Sequence, residues 1–123
     1  MQTLTKAERL SSKVKIDKLL ETGKSFHSGH FKIVWQETAE DSVPAQIVIS
    51  VPKRLFKKAV DRNRLKRLTR EAYRKNKNIL FENLNNKKVL LMLIYKAKKI
   101  VEYMEMEETI VIALKKLSTT INS

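Results

Sequence analysis

The stretch 61–75, DRNRLKRLTREAYRK, sets seven cations (Arg62, Arg64, Lys66, Arg67, Arg70, Arg74, Lys75) against two acids, Asp61 and Glu71. A guanidinium is a planar fork that pairs bidentately with phosphate oxygens, so an arginine-rich run is suited to holding a polyanion. On a helical wheel over 61–81, Leu65, Leu68, Ala72 and Ile79 fall in one sector. Arg62, Lys66, Arg67, Arg70, Arg74 and Lys77 take the broad opposite side. Like charges at i,i+4 repel by a few tenths of a kcal/mol per pair, so such a ridge points to a partner outside the chain. An ordinary solvated face interleaves acids with its cations, and this one hardly does. Asn63 suits a helix cap, the role local chemistry favours, or a contact to a base edge, a ribose or a metal-bound water.

The 123 residues carry a formal net charge of +13, and 42% of them are hydrophobic. That is enough apolar material for a core, so the chain reads as one folded domain over 1–123, with 1–10 extended or flexible. Residues 53–77 hold twelve of the 26 cations and two of the 13 acids, which leaves only +3 for the remainder. The balance implies nucleic acid first and an anionic membrane surface second. There is no cysteine, so disulfides and thiolate metal sites are excluded. No apolar run reaches the roughly 18 residues of a membrane span. The first fifteen residues lack an apolar signal core, and the expected location is cytoplasmic.

Catalytic chemistry of the protein's own is not expected. His27 and His30 lie three apart in a strand-like segment, which turns them to opposite faces and argues against a metal pair. No acids are spaced as a carboxylate dyad or metal cluster. With two glycines there is no Gly-rich phosphate loop. Catalytic and metal-ligating protein residues are therefore both expected to be absent.

The elements that must position the ridge follow from periodicity. Ser11 or Ser12 caps a short helix ending at Gly23, with Val14, Ile16, Leu19 and Leu20 apolar. Residues 24–38 read as one strand, alternating from Phe31: Phe31, Ile33 and Trp35 one way, Lys32, Val34 and Gln36 the other. A turn at 39–44 leads to a strand over 45–53, limited by Pro52. The basic helix runs from Asp61 to Phe81 and is broken by Asn83, Asn85 and Asn86. KVLLMLIY (88–95) suits a strand covered on both faces. A last helix from Glu105 to Ser118 buries Met106, Ile110, Ala113, Leu114 and Leu117. The order is α-β-β-α-β-α, an α+β class.

Residues 50–74, SVPKRLFKKAVDRNRLKRLTREAYR, resemble the signature of the bacterial ribonuclease P protein component: a strand ending near a lysine, a basic connection, then Arg62-Asn63-Arg64-Leu65-Lys66-Arg67-Leu68-Thr69-Arg70. The likeness extends over 9–118, through Arg9-Leu10, the first helix, Gly23, strand 88–95 and the last helix. It implies an α/β sandwich like domain 2 of ribosomal protein S5, with a left-handed βαβ crossover where the general rule is right-handed. It implies partners, ribonuclease P RNA and precursor tRNA, with no membrane and no obligate protein partner. The function it implies is removal of the 5′ leader of precursor tRNA by an endoribonuclease whose catalyst is the RNA with its Mg²⁺. Lys53, Arg62, Asn63, Arg64, Lys66, Arg67, Arg70 and Arg74 are then the RNA-binding residues. The leader is expected in a cleft between the first helix and the sheet, near Ile16, Leu20, Phe31, Val34 and Trp35. Some members carry phenylalanines where Ile16 and Leu20 stand, and an aromatic near Val34; Phe26, Phe31 and Trp35 are the candidate substitutes, with core packing the competing role for Trp35. Rivals from other classes are a ribosomal-type RNA-binding protein, a DNA-binding regulator and a protein-only nuclease.

Overall fold

The computed structural model describes residues 4–39 and 43–123. Helix α1 (Lys13–Thr22) leads into a hairpin of β1 (Lys24–Ser28) and β2 (Phe31–Thr38), followed by β3 (Ala45–Ser50). Helices α2 (Ala59–Asn76) and α3 (Asn78–Phe81), strand β4 (Lys88–Tyr95) and helix α4 (Tyr103–Ile121) complete the chain. The four strands form one sheet in the order β1-β2-β4-β3, mixed in sense: β4 is antiparallel to β2 and parallel to β3. A parallel pair cannot be closed by a hairpin, so the basic segment has to cross over the sheet between β3 and β4.

One expected strand is therefore two. Residues 24–38 fold back on themselves at Gly29, whose φ is +55°. A Cβ there would lie 2.1 Å from Thr109 Oγ1, so both backbone conformation and the close approach of α4 demand glycine. KSFHS escapes a periodicity reading because β1 is a largely exposed edge strand with few apolar positions. Strand β3 stops at Ser50, before Pro52, and α2 begins two residues before Asp61. Lys77 separates α2 from α3 while keeping helical backbone angles, and Asn85 and Asn86 turn the chain with positive φ. Helix α4 is longer than expected at both ends.

The sheet has two unequal faces. Phe31, Ile33, Trp35, Ile47, Leu91, Leu93 and Tyr95 point into the main core beneath α2, α3 and α4. Val34, Leu90 and Met92 point the other way and form a smaller cluster with Leu10 and Leu19, on the side of α1. Burial of β4 from both sides explains its unbroken apolar sequence.

Of the segment 1–10 expected to be extended or flexible, the stretch 5–10 is held by specific contacts, and 1–3 lie outside the described residues. Residues Lys6–Glu8 form a 3₁₀ turn, Arg9 bridges to Ile47 in parallel sense, and Leu10 N–H donates to Ile47 O at 2.8 Å. Glu8 is buried and accepts from Lys77 Nζ through both carboxylate oxygens, at 3.1 and 2.9 Å. Thr5 N–H and Oγ1–H donate to the same carboxylate. The hydroxyl of Tyr73 is buried without a partner, and its pKa is pushed up by burial first and by the Glu8 charge second. Glu8→Ala would remove the carboxylate that pairs with the buried Lys77, at a cost of about 3–5 kcal/mol. Urea unfolding should show that loss, and the double variant Glu8→Ala/Lys77→Met should recover most of it.

Candidate nucleic-acid interface

Helix α2 buries Leu65, Thr69, Ala72 and Tyr73 against the sheet and α4. Thr69 is tolerated there because its hydroxyl donates to Leu65 O at 2.7 Å. The buried stripe is thus rotated from the expected one: Leu68 is only partly buried, and Thr69 and Tyr73 carry core positions that a purely apolar count passes over.

The opposite side is cationic, and its charges are not equivalent. Arg62 turns back, donating through Nη1 to the carbonyls of Phe56 (2.8 Å) and Lys57 (2.9 Å), and so ties the β3–α2 connection to the helix. Arg64 Nη2 lies 3.2 Å from Oε1 of Glu102, the N-cap residue of α4. Arg74 Nε donates to Glu71 Oε2 at 3.0 Å, and this bond holds the Glu71 carboxyl below the usual carboxylate range. Lys75 lies 5.2 Å over the Tyr103 ring. Lys77 belongs to the buried pair with Glu8 and leaves the ridge altogether. Lys66, Arg67 and Arg70 have no anionic partner among the described residues. Asn63 is exposed one turn inside a helix whose N-cap is Lys58, so it is not a cap, and its amide faces solvent between the arginines. Lys53 is exposed, as are Arg54, Lys57 and Lys58, which the motif does not single out but the charge count of 53–77 includes. The result is a cationic side of the fold in which Lys53, Arg54, Lys57, Lys58, Arg67 and Arg70 are exposed, backed by a fixed helix.

The cleft residues divide between the faces. Val34 lies on the α1 side, and Ile16 packs beside it. Leu19, not Leu20, fills the contact under α1; Leu20 is 53% exposed. Gly23 lets α1 end tightly against β2, since a Cβ there would come within 2.4 Å of Leu19 O in the helix's own last turn and 3.0 Å of Val34 Cγ1. Gln36 Nε2–H donates to Thr22 Oγ1 at 2.9 Å and pins the helix end. A cavity of about 250 Å³, with Lys15 and Lys18 on one wall and Gln36 and Leu90 on the other, opens beside it. Phe31 and Trp35 do not line this cleft. Strand alternation sends them, one residue out of phase with Val34, to the helix-packed face, where both are buried. Phe26 also packs on that side, with Lys116 Nζ 5.2 Å over its ring. The apolar cluster on the α1 side contains no aromatic residue.

The two histidines differ in surroundings. His27 is exposed on β1, whereas His30 Nε2 lies 2.7 Å from Glu105 Oε2, and the Glu105 carboxyl is held low chiefly by that hydrogen bond. Among the described residues no three His, Asp or Glu side chains gather as metal ligands, and no helix is long and apolar enough to cross a membrane.

Comparison with known proteins bears on this geometry directly. The family model described as "Ribonuclease P" matches residues 4–118. The chain belongs to the ribonuclease P protein family. A ribonuclease P protein component from Porphyromonas gingivalis (strain ATCC BAA-308 / W83) is 38% identical over 87 residues, 70% of this chain and 64% of that protein. One from Chlorobaculum tepidum is 31% identical over 105 residues, 77% of this chain and 68% of the other. The chain thus spans slightly less than two thirds of the Porphyromonas protein it matches. Among solved structures, the RNase P protein from Thermotoga maritima superimposes with a TM-score of 0.72 at 25% identity, over 89% of this chain and 96% of the other. The Staphylococcus aureus RNase P protein, at 22% identity, shares the fold with a TM-score of 0.74, over 95% and 100%. The family match covers both the α2 ridge and the α1 face.

Arg67→Ala should separate surface from scaffold in this ribonuclease P family protein. It should weaken RNA binding and lower the magnitude of the salt slope by about one unit per lost phosphate contact, with unfolding unchanged. Leu65→Ala, at a fully buried position, should instead cost about 2–5 kcal/mol in urea unfolding.

Proposed function

We propose that this chain is the protein subunit of a ribonuclease P, which binds the catalytic RNA and the 5′ leader of precursor tRNA and assists removal of the leader. The observation that carries this reading is the group Lys66, Arg67 and Arg70, without an anionic partner among the described residues and fixed on the outer side of α2 in a chain that matches the family along 4–118. Phosphodiester hydrolysis is assigned to the RNA. The chain's own described residues do not fit a Mg²⁺ site, because hard cations need converging oxygens and the interface is built of cations. Mg²⁺ is therefore assigned to the RNA subunit, and the protein acts by charge and position. The cationic surface lies between two polyanions, the RNA and the substrate, and lowers their repulsion. The aliphatic α1 face suits a leader of variable sequence, since its contacts do not depend on base identity. A cytoplasmic location is part of the same reading.

The test is cleavage of a precursor tRNA by a bacterial ribonuclease P RNA at low Mg²⁺, with and without the chain, beside the chain alone. Stimulation is expected only when both are present, with a lowered Mg²⁺ requirement. Tight RNA binding without stimulation would favour a structural RNA-binding role, and cleavage by the protein freed of RNA would overturn the assignment of chemistry to the RNA.

A further inference from the structure

Strand β3 is an edge of the sheet, and its outer side is met by the segment at Arg9 and Leu10. Between this segment and α2 lies a groove of about 200 Å³. Arg9 comes to it from the N-terminal segment, Lys66 and Arg70 come from α2, and Leu10, Val48 and Ile49 supply its apolar lining. The three cations converge although Arg9 is more than fifty residues away in the chain. Lys66 and Arg70, one turn apart, share this side of α2, while Arg67 does not line the groove. Arg9 is exposed and its side chain has no hydrogen bond or ion pair among the described residues. Its backbone is nevertheless fixed, by the bridge to Ile47 and by the buried Glu8–Lys77 pair one residue earlier. A cation held in place by its backbone, lining one groove with two others and without an ion pair among the described residues, is preorganised for an anion.

We propose that Arg9, Lys66 and Arg70 form a phosphate site for the single-stranded 5′ leader, where the leader passes from the α1 face over the edge of β3 to the α2 ridge. The proposal rests on the ribonuclease P reading. The groove, at about 200 Å³, brings its cations beside an apolar lining, a pairing that suits the phosphates and unpaired bases of a single strand. Its apolar lining is continuous with the α1 face, since Leu10 and Val48 pack in the same cluster as Leu19 and Val34. That continuity assigns the site to the leader and leaves Arg67 and the cations of 53–58 to the RNA subunit. Arg9 is thus a binding residue outside the arginine-rich motif, brought to it by the fold.

The test compares wild type, Arg9→Ala and Arg9→Lys, each assembled with a bacterial ribonuclease P RNA. Binding is measured for a precursor with a long single-stranded leader, for the same precursor trimmed to one leader nucleotide, and for the RNA subunit itself. Arg9→Ala is expected to weaken long-leader binding about two- to fivefold, the range of an exposed ion pair. It should also reduce the salt slope by about 0.7, as for one phosphate on a single strand. Short-leader and RNA-subunit affinities should not change, and Arg9→Lys should retain most of the wild-type affinity. An equal loss for the trimmed precursor or for the RNA subunit overturns the leader assignment and gives Arg9 to the RNA. Unchanged long-leader binding overturns the site. Wild-type assemblies that bind long and trimmed precursors equally would overturn the leader-binding part of the ribonuclease P reading as well.

Discussion

The parallel pairing of β3 with β4 decides where the basic helix lies. Two neighbouring parallel strands must be joined by a crossover, and α2 with α3 is that crossover, so α2 is pressed along one face of the sheet. Burial of Leu65, Tyr73 and Leu80 contributes about 1.5–3 kcal/mol for each large side chain. Like-charge repulsion along the outer side costs a few tenths of a kcal/mol per pair. The inner side therefore wins, and the chain can hold on its outer side a charge density that an isolated helix would not tolerate well.

Within that arrangement the cations take different work. Those near the ends of α2 are drawn into the protein: Arg62 to loop carbonyls, Arg64 to Glu102, Arg74 to Glu71 and Lys77 to Glu8. Those in the middle, Lys66, Arg67 and Arg70, have no anionic partner among the described residues. A wheel drawn from sequence treats all of these except Arg64 as one ridge, because it knows the direction of each side chain but not what lies beside it. Glu8 and Glu102 are far from α2 in sequence, and only the tertiary fold brings them within reach.

The same limit explains what else was and was not legible. The class of the fold, β4, both long helices and the side of α2 that meets solvent follow from periodicity, which is strong in long elements. The β1 strand was not legible, because KSFHS has no apolar alternation and owes its strand form to pairing with β2. Phe31 and Trp35 could be placed on one strand face together, apart from Val34, but not on the correct side. Which face met α1 and which met α2 and α4 depends on how the crossover wraps, and no local pattern carries that. The resemblance supplied the motif residues of the candidate site; it could not say that the aromatics lie on the far side.

The aliphatic α1 face and the crowded cations are best understood together. A binding surface that lacks aromatic platforms gives up stacking worth about 1–3 kcal/mol per base. A single strand can still be held there if phosphate contacts supply the missing attraction, and those contacts are indifferent to sequence. The fold concentrates cations where such a strand would leave the aliphatic face, at the edge of β3, through a segment stapled in place by Glu8 and Lys77. On this view the buried ion pair does more than stabilise the N-terminus. It holds the segment at Arg9 as one wall of a groove, and so fixes a charge at the point where an RNA strand would need it.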